Sequence, residues 1–286
     1  MPIHLGVDTL CWHLRLERGD TSVEDVLDEA AALGADCVQL NLHHVRSRDL
    51  RSLHSLAERA RSLGLVLLAS GDFLGQARNG DEPSLGVSRT AAWLERAAAL
   101  GSPVLRVVSG FYRAELFGQP ELIEQERRYV VAVLTEAAPA AAAAGVTLLL
   151  ENHSDFTAAE YRSIVEEVGA ERVGVFLDLI NPVAALDDPL PVIESLAPLA
   201  RAGHVKDYLF ESIQTDDGYH RRGFEVLYRY PGEGVADLPS LVAALQAGVG
   251  GRDFHLTIEG LDNRADVDDQ RTRLRPSLEL LRSLTA

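Results

Sequence analysis

The stretch VTLLLENH, Val146 to His153, opens on β-branched and aliphatic residues and closes on charge. It follows Gly145, which ends the alanine-rich run Ala137 to Ala144. An apolar run of this length behind a glycine reads as a buried strand, and the alanines before it continue an amphipathic helix rather than a linker. Period-two alternation places Thr147, Leu149, Glu151 and His153 on one face and Leu148 and Leu150 on the other. The leucine face suits helix packing, so the carboxylate points the opposite way, into the fold.

The same unit recurs along the chain in both directions. Strands are expected at His4–Thr9, Cys37–Leu42, Leu65–Ser70, Val104–Ser109, Val146–Asn152, Val173–Asp178, Gly203–Tyr208 and Phe254–Gly260, with helical periodicity between and after them. Helix starts are marked at Thr21 and Thr157, where a hydroxyl precedes a carboxylate, and helix ends at Gly34, Gly64, Gly101, Gly145 and Gly169. Strand–helix alternation with short returns implies a parallel sheet, and eight units close into an α/β (β/α)8 TIM barrel. The reading is one domain over residues 1–286. An open doubly wound sheet is the competing architecture, but no strand leads into a G-x-G-x-x-G phosphate turn.

Two connections are long, Asp72 to Ser88 and Leu209 to Gly234, and both belong on the face where barrel strands end. In the second, Asp217 and Gly218 separate two extended runs, so a hairpin flap is expected over 209–234. A contact between copies in a homo-oligomer is the alternative use for it.

With 27 Lys+Arg against 43 Asp+Glu, the formal net charge of -16 disfavours nucleic acid and anionic membrane surfaces as partners. The two cysteines, Cys11 and Cys37, have neither zinc-site nor redox-pair spacing and read as reduced, buried thiols. The N-terminus MPIHLGVDTL lacks a basic region and a long apolar run, and no stretch approaches about 18 uninterrupted apolar residues, so a cytoplasmic location is expected.

Four late strands end in metal-capable groups: Glu151 in LLLENH, Asp178 in GVFLDLIN, His204 in AGHVKDY and Glu259 in HLTIEG. His255, Thr257 and Glu259 share a face, which again turns the carboxylate inward. Three carboxylates and a neutral imidazole facing one cavity repel and desolvate one another unless a cation sits among them. Oxygen-rich ligation with one nitrogen and no thiolate selects Mn²⁺ first, then Mg²⁺ or Co²⁺, over a structural zinc site. Lys206, the single lysine in a chain that otherwise uses arginine, follows His204 by two and shares its inward face. A compact ammonium there can hold or protonate a substrate oxygen, or pair structurally with an acidic neighbour.

On the segments ENH, LDxxN (Leu177 to Asn181), HVKD from His204, GEG (Gly232 to Gly234) and TIEG, the chain resembles the xylose isomerase-like sugar isomerases and epimerases, a family that includes D-tagatose 3-epimerase. The resemblance spans nearly the whole chain. It implies a small carbohydrate-like substrate, a Glu-Asp-His-Glu metal site, and proton transfer by the two glutamates, which map onto Glu151 and Glu259. A metal holding a carbonyl oxygen and its neighbouring hydroxyl acidifies the carbon-bound proton and stabilises an enediolate. Similar barrels are dehydratases of the inosose or 3-dehydroshikimate type, in which a β-hydroxyl leaves. Asn181 stands where some relatives carry a histidine, and the related endonuclease IV class builds a multi-zinc site with extra histidines, so nuclease work fits poorly with both this residue and the charge. A barrel kept only for binding is the non-catalytic alternative.

Around this set, His153 is placed to contact substrate or orient Glu151. Gln39, Asn41 and His43 alternate into the pocket mouth, and Asp8, Trp12, Asp72 and Arg106 are further candidates from earlier strands. Asn41, His43, Arg106, His153 and Asn181 are taken as substrate-binding residues. Arg113, His220, Arg221 and Arg222 are candidates for an anionic substrate group, with solvated loop arginines as the plainer reading.

Overall fold

The computed structural model describes residues 3–47, 49–214, 221–260 and 269–286. Its strands are β1 (Ile3–Asp8), β2 (Cys37–Asn41), β3 (Val66–Phe73), β4 (Val104–Val108), β5 (Thr147–Glu151), β6 (Val173–Asp178), β7 (Ala200–Val205), β8 (Asp207–Gln214), β9 (Arg221–Arg229) and β10 (Phe254–Ile258). Eight of them close into a parallel barrel in the order β1-β10-β7-β6-β5-β4-β3-β2, so the (β/α)8 expectation holds. The helices are α1 (His13–Arg18), α2 (Val23–Ala32), α3 (Leu50–Ser62), α4 (Pro83–Ala99), α5 (Pro120–Ala143), α6 (Ala158–Val168), α7 (Pro189–Leu196), α8 (Leu238–Val249) and α9 (Asp269–Thr285). The alanine-rich run lies in α5, as its periodicity requires.

Alternation divides the apolar residues into two cores. Leu148, Leu150, Leu256 and Ile258 face outward and pack with the helices in one continuous layer. Cys37, Leu68, Val104, Leu149, Phe176 and Ala202 form a separate cluster inside the barrel. Above that plug, the inward positions at the strand ends are polar.

Several boundaries differ from the sequence reading. The seventh strand begins at Ala200 and ends at Val205; Tyr208 belongs instead to the antiparallel pair of β8 and β9, which starts immediately after Lys206. The Asp217-Gly218 tip lies outside the described residues. Rather than a long loop to Ser88, β3 continues past an irregularity at Ser70 to Phe73, and α4 begins at Pro83. The first capping box is built by Ser22 with Asp25, one residue later than Thr21, whereas Thr157 and Glu160 form the second as expected. Gly34, Gly64, Gly101 and Gly145 follow their helices at φ between 67° and 75°, but Gly169, at φ 110°, stops α6 outside the left-handed helical region. Among the described residues no helix is long and apolar enough to cross a membrane.

Candidate metal centre

Strands β5, β6, β7 and β10 deliver Glu151, Asp178, His204 and Glu259 to one buried space above the inner plug. Backbone bonding fixes the strand ends first. Asn152 Nδ2 donates to the Asp178 carbonyl at 2.8 Å while Asp178 N donates to Asn152 Oδ1 at 2.7 Å, which ties β5 to β6. Tyr161, rising from α6, donates its hydroxyl to the Glu151 carbonyl at 2.6 Å. Asp178 Oδ1 accepts from the amides of Ile180 and Asn181 at 2.8 and 2.7 Å, so its other oxygen alone is turned to the cavity.

One oxygen from each carboxylate then converges on a single nitrogen. His204 Nδ1 lies 3.4 Å from Glu151 Oε1, 3.6 Å from Asp178 Oδ2 and 3.6 Å from Glu259 Oε1. None of these contacts has hydrogen-bond geometry, and both ring nitrogens are buried without a hydrogen-bond partner among the described residues. On the far side of the ring, Nε2 sits 3.3 Å from Asp8 Oδ2. The ring itself stands edge-on to Phe176, with centroids 4.7 Å apart. Such a histidine, one nitrogen facing carboxylates and the other facing an orienting acid, has the form of a metal ligand with its supporting partner. Glu151, Asp178 and His204 each offer a donor atom within 4.8 Å of the others; Glu259 approaches them through His204.

Two cations hold the same carboxylates. The Arg106 guanidinium, from β4, clasps Glu151 Oε2 with Nε and Nη2 and reaches Ser70 Oγ at 3.0 Å with Nη1. Lys206 Nζ pairs with Asp178 Oδ2 at 2.7 Å and with Glu259 Oε2. Burial pushes the Glu151 carboxyl up, but Arg106 and the imidazoles of His204 and His153 outweigh it and hold the group well below its ordinary range. For Asp178 burial is likewise overcome, by Lys206 and His204. Burial opposes charge on Lys206 and His204 too, yet the surrounding carboxylates raise both.

The charges at the centre leave room for a metal. Asp8, Glu151, Asp178 and Glu259 bring four formal negative charges, and Arg106 and Lys206 return two. A proton on His204 cancels one of the two left over; a divalent ion at Nδ1 cancels both. The donor set of carboxylate oxygens and one imidazole suits such an ion.

Other expected residues fall around this core. Asn181 Nδ2 donates to Glu151 Oε1 at 3.2 Å. His153 lies beside Phe73 and Tyr112, ring to ring. Asn41 and His43 border a cavity of about 320 Å³ with Ser70, Asp72, Trp93 and Arg96. Arg113 does not face the centre; it pairs with Glu160 at the start of α6. Trp12 is buried elsewhere, donating to Glu29 at 2.7 Å, and Gln39 accepts from Thr257 inside the barrel. His220 and the side chain of Arg221 lie outside the described residues, and Arg222 is exposed.

Sequence reasoning missed Tyr228 and left Asp207 open between a supporting residue and plain loop. Tyr228, on β9, places its ring 4.6 Å from Lys206 Nζ and its hydroxyl 3.5 Å from Asn181 Oδ1, so the β8–β9 pair forms one wall of the centre. Asp207 accepts from the amides of Gly232, Gly234 and Ala236 at 3.0–3.1 Å, clamping the turn that follows β9. Glycine is required at Gly234, because a Cβ there would collide with the Asp207 carboxylate. Alternation cannot reveal either role, since β8 and β9 lie outside the barrel register.

A family model described as a xylose isomerase-like TIM barrel matches residues 27–284. No curated protein matches the sequence closely enough to count as a relative. Among solved structures, D-psicose 3-epimerase with D-tagatose from Clostridium cellulolyticum H10 shares 16% identity over 99% of both chains, with a TM-score of 0.76. The IOLI protein with a binding zinc atom shares 18% over 99% of both, at 0.75. The probable 3-DHS dehydratase AsbF from Bacillus anthracis shares 13% over 98% of both, at 0.69. At these identities the likeness is one of fold.

Proposed function

Because this chain belongs to the xylose isomerase-like TIM barrel family, we propose that it is a divalent-metal-dependent isomerase or epimerase of a carbohydrate-like substrate. The observation that carries the reading is the convergence of Glu151 Oε1, Asp178 Oδ2 and Glu259 Oε1 on Nδ1 of His204. Glu151, Asp178, His204 and Glu259 would hold the ion, with Mn²⁺ first among candidates on donor chemistry and Mg²⁺ or Co²⁺ next. When bound, it would polarise a substrate carbonyl and the neighbouring hydroxyl, acidifying the carbon-bound proton.

The residues of the chain do the rest. Glu151 and Glu259, both beside Nδ1 of His204, would take a proton from carbon and return one, to the opposite face in an epimerase or to the adjacent carbon in an isomerase. Lys206, held between Asp178 and Glu259, is the donor available to a substrate oxygen. Arg106 keeps Glu151 ionised. Asn181 orients the same carboxylate, while His153, Asn41 and His43 supply polar contacts at the mouth. Tyr228 covers Lys206 and limits the access of water, which is the part a flap plays.

The test is to load metal-stripped protein with Mn²⁺ and offer ketoses, inosose and dehydroshikimate in D₂O, following products and deuterium by NMR. Deuterium entering a sugar carbon with rearrangement supports the proposal. Loss of water from the cyclic substrates would turn the reading into a carbon–oxygen lyase, and no exchange in any of them would overturn the enediolate chemistry.

A further inference from the structure

A second cluster of donors stands on the rim of the barrel, where the segments after β1 and β2 meet. His13 and Glu17 come from α1, and His43 and His44 follow β2. One donor atom from each lies within 4.8 Å of the other three. His13 Nδ1 is 3.0 Å from His44 Nε2, and His43 Nε2 is 4.0 Å from Glu17 Oε1. Ligand atoms around a tetrahedral zinc ion, with bonds near 2.0–2.1 Å to nitrogen, stand about 3.3 Å apart. The observed spacings straddle that value. The ring centroids of His43 and His44 are 4.0 Å apart, and those of His13 and His44 5.3 Å.

The outer nitrogens are tied down. His43 Nδ1 lies 2.7 Å from Asn41 Oδ1, and His44 Nδ1 lies 2.9 Å from Thr9 Oγ1. Asn41 Oδ1 can only accept, so His43 carries its proton on Nδ1 and presents the Nε2 lone pair inward; Thr9 Oγ1 accepts from His44 in the same way when its own proton goes to Asp8 Oδ1 at 3.5 Å, the arrangement that orients histidine ligands of metals. The cluster is reachable from solvent, with the side chains of His43 and Glu17 44% and 56% exposed, so an ion can arrive without disturbing the core.

We propose that His13, Glu17, His43 and His44 form a second cation site, distinct from the centre at His204 and suited to a borderline ion of the zinc class. Three imidazoles and a single carboxylate differ in kind from the carboxylate-rich central set. They select Zn²⁺, Co²⁺ or Ni²⁺, whereas the central oxygens accept Mn²⁺ or Mg²⁺. Asp8 and Thr9 form the partition between the two: Asp8 faces His204 on one side, and Thr9 holds His44 on the other. On this proposal His43 serves the rim ion, and the polar contacts to substrate at the mouth fall to Asn41 and His153.

The test uses untagged, metal-stripped full-length protein titrated with Co²⁺, read by calorimetry and by the visible absorption of the bound ion. The paired substitution His13→Gln and His43→Gln changes side chains that reach solvent, and circular dichroism checks that the variant keeps its fold. The proposal expects this variant to bind one Co²⁺ per chain fewer than wild type and to lose the absorption of an imidazole-rich site. Asp178→Asn, which perturbs only the central set, should leave that absorption in place. Equal stoichiometry and spectra in wild type and the paired variant would overturn the rim site. If the central centre alone were wrong, the difference of one ion between wild type and the paired variant would persist.

Discussion

Lys206 Nζ stands 2.7 Å from Asp178 Oδ2, the same oxygen that faces His204 Nδ1 across 3.6 Å. One carboxylate oxygen is thus shared between an ammonium and the ligand space, so on the proposed chemistry the lysine would both stabilise the centre and donate a proton within it. A guanidinium is larger, planar and far less willing to give up its proton. Lys206→Arg is expected to lower kcat by about 100-fold or more, the size of a lost general acid, with a much smaller change in KM. Near-normal turnover would leave the lysine a purely structural role.

Glu259 meets His204 through one oxygen and Lys206 through the other. Glu259→Gln keeps an oxygen that can face an ion but removes the proposed base. Exchange of the substrate carbon proton with solvent should then disappear while the protein still takes up Mn²⁺, measured by NMR and by metal analysis. Exchange at the wild-type rate would remove Glu259 from proton transfer.

The ion pair of Arg106 and Glu151 is buried, and removing one partner leaves the other charge uncompensated. Arg106→Met is expected to cost about 3–5 kcal/mol in urea unfolding of the metal-free protein. Added Mn²⁺ should return part of that loss, since a cation bound only by the folded state stabilises it. An unchanged midpoint would show that the pair contributes nothing to the fold.

Asp207 accepts three backbone amides from the turn at Gly232 to Ala236. Asp207→Ala orphans all of them and should destabilise the chain by roughly 2–4 kcal/mol, on the scale of hydrogen bonds to a charged group. Gly234→Ala should produce a similar loss by collision. A thermal melt of each variant against wild type is the measurement.

Burial pushes the thiols of Cys11 and Cys37 well above their ordinary range, because a thiolate in an apolar surrounding is unfavourable. A thiol reagent at pH 8 should label neither in the native protein and both after unfolding. Rapid labelling of the native chain would show that these segments open.

The barrel was legible because its signal repeats: eight strands alternate, their outer faces are aliphatic, and their inner faces turn polar only at one end. Glu151, Asp178, His204 and Glu259 stood out for that reason. Lys206 stood out as well, with an acidic partner as one option; Arg106 was a candidate for substrate rather than for Glu151, since that pairing depends on the register of β4 against β5. A lone arginine in LRVV looks no different from a structural one. Asn152 is equally silent in the sequence, although it ties β5 to β6 beside the ligands. The seventh strand was displaced because HVKDYLF is continuously extended, and nothing local marks Lys206 as the junction where barrel gives way to hairpin. The rim histidines lie some thirty positions apart and meet only because β1 and β2 are neighbours.

The plug of Cys37, Leu68, Val104, Leu149, Phe176 and Ala202 closes the barrel beneath the charged groups. It makes the centre a cul-de-sac. Among the described residues that floor leaves the strand-end side for both capture and release, so on the proposed chemistry a tightly held product would stand in the way of the next substrate.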